Sequence, residues 1–217
     1  MLNYVVTSNH IHLLVKDTGD HVISQSMQLI AGRSAQEFNQ RKGRQGAFWE
    51  DRYHATAIEV DEHLHRCLVY IDLNMARAGV VEHPSPSAHG GYRDILAPPK
   101  RYAIIDLRQL SALCGFAEAS QFQQAHRQWV IEALRRTLAG REDQWSEALA
   151  VGSLPFVEKL KTEFGVRAMH RATTAVDGMF TLLEQGKAYT SVFAAKNDAL
   201  RLDNTRFYEE KAEIEGT

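Results

Sequence analysis

The sequence predicts an α+β protein in which short strands alternate with amphipathic helices. The chain has 217 residues, of which 44% are hydrophobic and 24% are charged, so it is long enough to bury a core. Residues 2–7 and 10–16 have the composition of short strands, whereas apolar residues recur at helical spacing along residues 22–38. These patterns favour a sheet with flanking helices, followed by a mainly helical extension.

The first elements follow in order along the chain. Ser8 and Asn9 are turn-type residues between the two strands, so the simplest connection is a tight hairpin. The first helix ends at the basic, glycine-containing segment 41–46. Residues 52–60 predict a third strand.

A second helix is expected over residues 62–78. Asp61 stands where an N-cap residue belongs, and Gly79 follows where a helix commonly ends. The proline- and glycine-rich stretch 83–91 then marks a boundary. We therefore expect one domain over residues 1–95 and an extension over residues 96–217, with helical patterns at 105–138 and 144–164. Within it, residues 110–116 faintly resemble a helix-turn-helix, although an ordinary helical hairpin is favoured.

Charge and cysteine content narrow the class of protein. The net charge is −2, so no bulk basicity indicates a nucleic-acid partner. Cys67 and Cys114 are the two cysteines and do not form a C-x-x-C pair, which argues against a disulfide scaffold or a zinc ribbon. The sequence contains neither a leader pattern nor an apolar stretch of membrane-spanning length, so we expect a cytoplasmic protein that does not bind a membrane.

Two histidine pairs differ in geometry. On a strand, His10 and His12 project to the same side, which suits a two-point grip on a metal ion. His63 and His65 have the same spacing, but on a helix their imidazoles diverge. The second pair is therefore an internal control for the first.

The second helix carries a polar face beside an apolar stripe. Five residues share that polar face by i, i+3, i+4 and i+7 spacing: His63, Arg66, Tyr70, Asn74 and Arg77. Tyr70 is thus expected at the edge of the buried stripe. It is either a reactive phenol among polar groups or a ring that packs while its hydroxyl stays wet.

A basic segment with interleaved aromatic residues is the candidate DNA-binding surface. Cations can follow a phosphate backbone, and aromatic faces can stack unpaired bases. The alternative is a solvated helix end with its own core aromatics. The candidate DNA-binding residues are Arg33, Arg41, Lys42, Arg44, Trp49, Arg52 and, on the second helix, Arg66.

Together these groups suit one reaction. A tyrosine hydroxyl is a weak nucleophile at neutral pH, but it can attack a phosphodiester that a divalent ion polarises. The imidazoles of His10 and His12 with the amide oxygen of Asn74 could hold Mg²⁺ or Mn²⁺ and leave positions open. Arg66 or Arg77 could neutralise charge on the phosphate.

Three ordered motifs resemble the REP-associated tyrosine transposases, within the single-tyrosine HUH transposases. They are Ser8-Asn9-His10-Ile11-His12-Leu13-Leu14-Val15, Gly46-Ala47-Phe48-Trp49-Glu50-Asp51-Arg52-Tyr53 and Tyr70-Ile71-Asp72-Leu73-Asn74-Met75-Ala76-Arg77-Ala78-Gly79. The resemblance implies a ferredoxin-like antiparallel sheet with flanking helices. It also implies that His10 and His12 are metal ligands, that Asn74 is the third ligand and that Tyr70 is the nucleophile.

By the same resemblance, the substrate is a single-stranded DNA hairpin such as a palindromic repeat, which is cut and rejoined through a 5′-phosphotyrosine. Relatives have a further strand and helix ahead of the segment that begins here at Leu2, so the domain is expected to be N-terminally incomplete. We therefore expect the chain to misfold, to form a homodimer or to recruit its own tail as a substitute strand. Two rival functions are a degenerate or domesticated hairpin-binding protein without cleavage activity, and a replication initiator or relaxase with the same metal chemistry.

Overall fold

The computed structural model describes residues 1–136 and 142–184, and it confirms the α+β class. Its six strands are β1 (Asn3–Val6), β2 (Ile11–Leu14), β3 (Ala57–Ile58), β4 (Ala150–Gly152), β5 (Arg171–Val176) and β6 (Met179–Glu184). The seven helices of this part of the chain are α1 (Val22–Lys42), α2 (Glu62–Asp72), α3 (Asn74–Arg77), α4 (Tyr92–Leu96), α5 (Leu107–Leu113), α6 (Ala119–Arg135) and α7 (Leu154–Phe164). Two 3₁₀ turns cover Asp143–Trp145 and Gly165–Ala168.

The predicted hairpin is present with shorter strands. Strands β1 and β2 pair antiparallel in the register Asn3↔Leu14 and Val6↔Ile11. The Thr7 amide donates to the His10 carbonyl oxygen at 2.9 Å, which closes the turn. The outer edge of β1 is covered by the loop before α4, because the Val6 amide donates to the His89 carbonyl oxygen at 2.8 Å.

A second, four-stranded sheet joins the two halves of the chain in the order β3-β4-β6-β5. Strand β3, the short remnant of the strand predicted over 52–60, pairs parallel with β4, while β4 pairs antiparallel with β6. The parallel pair is feasible because some ninety residues, including the five helices α2 to α6, separate β3 from β4. Strands β4, β5 and β6 were not predicted from the sequence. Residues after 95 therefore supply a strand that pairs with β3, while within the described residues β1 and β2 form a separate two-stranded sheet.

The second predicted helix is split. Helix α2 ends at Asp72, and α3 begins at Asn74 after Leu73. Gly79 follows with φ +68°, as expected of a residue that closes a helix. Asp61 is the N-cap residue of α2, as predicted, but its side chain makes no cap hydrogen bond, because its φ of 70° and ψ of −127° lie outside the extended conformation in which capping side chains bond.

The main core contains residues from before and after position 95 of the chain. Val5 and Leu14 of the hairpin and Leu68 of α2 share one buried cluster with Leu110 of α5 and Phe122 of α6. Residues Met1–Leu183 form one compact unit. The division into domains 1–95 and 96–217 stays a prediction.

Helix α1 differs from the other long helices because none of its residues is buried. The apolar residues that predicted it are partly open, with Leu29 65% exposed. Its aromatic contacts are local: Phe38 packs on Phe48 with ring centroids 4.6 Å apart. Within the described residues, no helix is long and apolar enough to cross a membrane.

Candidate active site

The histidine hairpin and the tyrosine helix meet at one place. His10 precedes β2, and His12 lies within it opposite Val5. The ring centroids of His10 and His12 are 5.0 Å apart, and those of His12 and Tyr70 are 5.7 Å apart, both in an edge-on arrangement. Helix α2 reaches the hairpin because its apolar stripe, including Leu68, is buried in the same core as Val5.

Asn74, the first residue of α3, completes the cluster. Its Oδ1 lies 3.2 Å from His10 Nε2. On the other edge of the ring, His10 Nδ1 lies 2.8 Å from Asn9 Oδ1, an oxygen that can only accept a hydrogen bond. In the neutral tautomer that donates from Nδ1 to Asn9, the lone pair of Nε2 therefore faces the amide oxygen of Asn74. Two acceptors so close are stable when a cation lies between them.

This donor set fits a divalent ion. Two atoms that bind one octahedral ion at about 2.1 Å in adjacent positions lie about 3.0 Å apart, close to the 3.2 Å between His10 Nε2 and Asn74 Oδ1. A ligating histidine commonly donates its other ring N–H to an oxygen, and Asn9 Oδ1 lies within reach of His10 Nδ1 for such a bond. The described residues contain no cluster of three or more His, Cys, Asp or Glu that could hold a metal ion, and the present set consists of two histidines and an amide.

Tyr70 is more enclosed than the sequence predicted, since only 5% of its surface is exposed. The Arg77 guanidinium lies over its ring, 4.0 Å from the centroid, and Arg77 Nη2 donates to the Tyr70 carbonyl oxygen. The centroid of the Trp145 ring lies 6.1 Å from the centroid of the Tyr70 ring. The helical spacing placed Tyr70 at the edge of the apolar stripe, and in the structure its ring is also buried, with the Arg77 guanidinium and the Trp145 ring as neighbours.

Arg77 is held by a second partner from the same covering segment. Its Nη1 lies 3.7 Å from Glu142 Oε1. Burial lowers the pKa of Arg77, while Tyr70 and Glu142 oppose part of that shift. Arg77 thus lies between a phenol ring and a carboxylate.

The predicted DNA-binding residues lie mostly outside this cluster. Arg33, Arg41, Lys42, Arg44 and Arg52 are exposed, on α1 and in the loop after it. Gly43 closes α1 with φ +59°, which turns the chain into this loop.

Two of the predicted DNA-binding residues are engaged elsewhere. Trp49 donates its indole N–H to the Ala31 carbonyl oxygen at 3.1 Å, which fixes the ring against α1. Arg66 donates to the Asp177 carbonyl oxygen at 2.8 Å in the turn between β5 and β6. The internal control behaves as the helix geometry predicts, because His63 lies 3.6 Å from Glu59 and His65 stacks on Trp129 at 4.2 Å.

A buried polar network beside the site was missed. Asp72 accepts from Asn3 Nδ2 at 3.0 Å and lies 2.7 Å from His126 Nε2. The signal was available, because Asp72 is placed one turn after Leu68 on the apolar face of the helix. An acidic residue on such a stripe requires a buried partner.

Comparison with known families gives one finding. The family model described as transposase, IS200 like, matches residues 1–74. The matched segment includes His10, His12, Tyr70 and Asn74. No curated protein and no solved structure is similar enough to match the chain. Residues 1–74 are therefore similar to the IS200-like transposases.

Proposed function

We propose that the chain is a single-strand DNA transposase that cuts and rejoins DNA hairpins through a phosphotyrosine. The observation that carries the proposal is the 5.7 Å approach of the His12 and Tyr70 rings, with His10 and Asn74 adjoining. A phenol beside two imidazoles and an amide is the set of groups that a metal-assisted tyrosine nuclease requires.

His10, His12 and Asn74 would hold the ion, Mg²⁺ or Mn²⁺, the latter being better matched to imidazole. When bound, the ion supplies Lewis-acid polarisation of the scissile phosphate. Loss of an imidazole should therefore abolish binding. In an electron paramagnetic resonance titration, we expect the wild type and His63→Ala to reduce the sharp six-line signal of free Mn²⁺, whereas His12→Ala leaves that signal undiminished. Equal loss of binding in both variants would contradict the assignment.

Tyr70 is the proposed nucleophile. Its Oη forms a bond to phosphorus, and the bond from phosphorus to the 3′ oxygen breaks. The phenol proton passes to solvent, and the 3′ oxygen takes a proton from water, which leaves a 5′-phosphotyrosine and a free 3′-OH. Rejoining is the reverse displacement by a 3′-OH. Arg77, which lies over the Tyr70 ring, is the proposed cation that neutralises the phosphate in this step.

DNA is proposed to reach the site along the basic segment at the end of α1. Arg41, Lys42 and Arg44 are exposed there and can follow a phosphate backbone. The motifs quoted above resemble those of the REP-associated group, so palindromic repeats are the proposed hairpins. A homodimer is the candidate assembly. Analytical ultracentrifugation of the purified protein measures its oligomeric state.

The test uses single-stranded hairpin oligonucleotides with the sequences of palindromic repeats. With Mn²⁺, we expect a label at the 3′ end to travel with the protein on a denaturing gel and a label at the 5′ end to be released. Tyr70→Phe should abolish the adduct, whereas Tyr102→Phe should not, because Tyr102 is 94% exposed and is not part of the cluster. An adduct that survives Tyr70→Phe would overturn the assignment.

The enclosure of Tyr70 favours a second candidate function. With 5% of its surface exposed, Tyr70 meets a phosphate only after local movement of its cover. A degenerate or domesticated protein would bind the same hairpins without cutting them. In that case, wild-type protein shifts the hairpin on a native gel but forms no adduct with Mn²⁺.

A further inference from the structure

The network around Asp72 links three separate elements of the fold. Asn3 belongs to β1, Asp72 is the last residue of α2, and His126 lies in α6. The side chains of Asp72 and His126 are fully buried, and Asn3 is buried as well. Each carboxylate oxygen has its own partner, Asn3 Nδ2 at 3.0 Å and His126 Nε2 at 2.7 Å.

The partners of Asp72 have little freedom to move. Asn3 also accepts from the Tyr4 amide at 2.8 Å through Oδ1. His126 stacks on Phe122 with ring centroids 5.6 Å apart and 18° between the ring planes. In the described part of the chain, His126 Nδ1 makes no hydrogen bond, so the bond to Asp72 fixes the polar edge of the ring. A buried carboxylate that loses a hydrogen-bond donor pays a desolvation penalty, so arrangements that keep both Asn3 and His126 in place are strongly favoured.

The position of Asp72 in the chain places the network between the proposed nucleophile and the proposed metal ligands. Asp72 lies two residues after Tyr70 and two before Asn74, at the point where α2 gives way to α3. Asn3 pairs with Leu14 in the hairpin that carries His12. One carboxylate therefore ties the tyrosine helix to the histidine hairpin, and a histidine from beyond residue 95 holds that carboxylate.

We infer that the Asn3–Asp72–His126 network is a positioning device that sets Tyr70 against His10 and His12, so that helix α6 is part of the frame of the active site. The expected effect on the reaction rate rests on the proposed function, whereas the expected effect on the position of Tyr70 does not. Because a misplacement of about 1 Å can cost roughly 10²-fold in rate, small changes in this network should be visible in the reaction.

The test compares His126→Phe with His126→Gln in the full chain. Phenylalanine keeps the ring but loses the donor, whereas glutamine keeps a donor near the position of Nε2. The first readout needs no metal or DNA: the ¹⁹F resonance of Tyr70 in fluorotyrosine-labelled protein, assigned with Tyr70→Phe. We expect His126→Phe to shift this resonance and His126→Gln to restore it, while the resonance of the exposed Tyr102 stays unchanged in both.

The second readout is the rate of adduct formation at saturating DNA. It should fall by about 10²-fold in His126→Phe, with DNA affinity retained, and recover in His126→Gln. If His126→Phe does not fold, Gly91→Ala disturbs the network from the Asn3 side, and Gly90→Ala is its matched control. An unchanged Tyr70 resonance in folded His126→Phe or Gly91→Ala overturns the inference. A shifted resonance in a protein whose wild type forms no adduct supports the positioning role and refutes the proposed function instead.

Discussion

Replacement of Gly91 by alanine should destabilise the protein, although the change adds a single methyl group. A Cβ on Gly91 would lie 2.2 Å from Asn3 Oδ1 and 2.8 Å from Ile105 Cδ1. The backbone cannot easily withdraw, because the Gly91 amide donates to the Tyr4 carbonyl oxygen at 2.8 Å. The methyl group must therefore displace Asn3, which is buried and holds Asp72.

The expected size follows from three terms. Overpacking of a tight site costs about 1–3 kcal/mol. A buried acceptor left without its hydrogen bond costs about a further 1–3 kcal/mol. Against these, alanine lowers the entropy of the unfolded chain, which stabilises by about 0.4–1 kcal/mol. The net loss in free energy of unfolding is therefore about 1–5 kcal/mol.

Gly90→Ala is the matched control, because its Cβ would meet no atom closer than 3.8 Å. It should be neutral or stabilising by up to about 1 kcal/mol. Urea denaturation followed by far-UV circular dichroism measures both variants against the wild type. If Gly91→Ala unfolds at the wild-type urea concentration or above it, the close packing of Asn3 against Gly91 is refuted.

Two further predictions concern pH and salt. Burial lowers the pKa of His65 below its ordinary value of 6.5, so its contribution to stability is present above that pH and is lost as the pH falls through the lower folded-state pKa. The free energy of unfolding, measured by urea denaturation, should therefore fall more steeply between pH 7 and 5 in the wild type than in His65→Gln. The same pH dependence in both proteins would contradict this prediction. Replacement of Arg41, Lys42 and Arg44 by alanine should reduce the slope of log affinity for single-stranded DNA against log salt by about 0.7 per lost phosphate contact. An unchanged slope in fluorescence anisotropy titrations would exclude this segment from the DNA path.

Local patterns predicted the parts of the site that lie close together in the chain. The Ser8-Asn9 turn and the alternation of strand side chains were sufficient to predict that His10 and His12 share a side. Helical spacing predicted the relation of Tyr70 to Arg77, whose guanidinium lies over the ring. The approach of Tyr70 to His12 was instead predicted from the reaction that the two histidines, the tyrosine and the asparagine could perform together. No local sequence pattern relates residues so far apart.

The remaining features depend on partners that are distant in sequence. Strand β4 has three residues and pairs with β3 across about ninety positions, so its short apolar pattern could not be distinguished from a buried helix segment. The cover of Tyr70 by Trp145, and the bond from Arg66 to the Asp177 carbonyl, are long-range contacts of the same kind. Asp61 occupies the predicted N-cap position, but its positive φ, which the residue type does not reveal, leaves the side chain without a cap hydrogen bond.

The central claim is that Tyr70 reacts with DNA beside the His10 and His12 site. Trypsin cleaves after Arg66 and Arg77, and the peptide 67–77 between them contains Tyr70 as its one tyrosine. Mass spectrometry of the digested adduct should therefore find peptide 67–77 with the added mass of the nuclease-trimmed 5′-phosphorylated nucleotide, only when Mn²⁺ is supplied. Attachment to a different tyrosine, or an unmodified peptide 67–77 in a sample that has cut its DNA, would contradict the account.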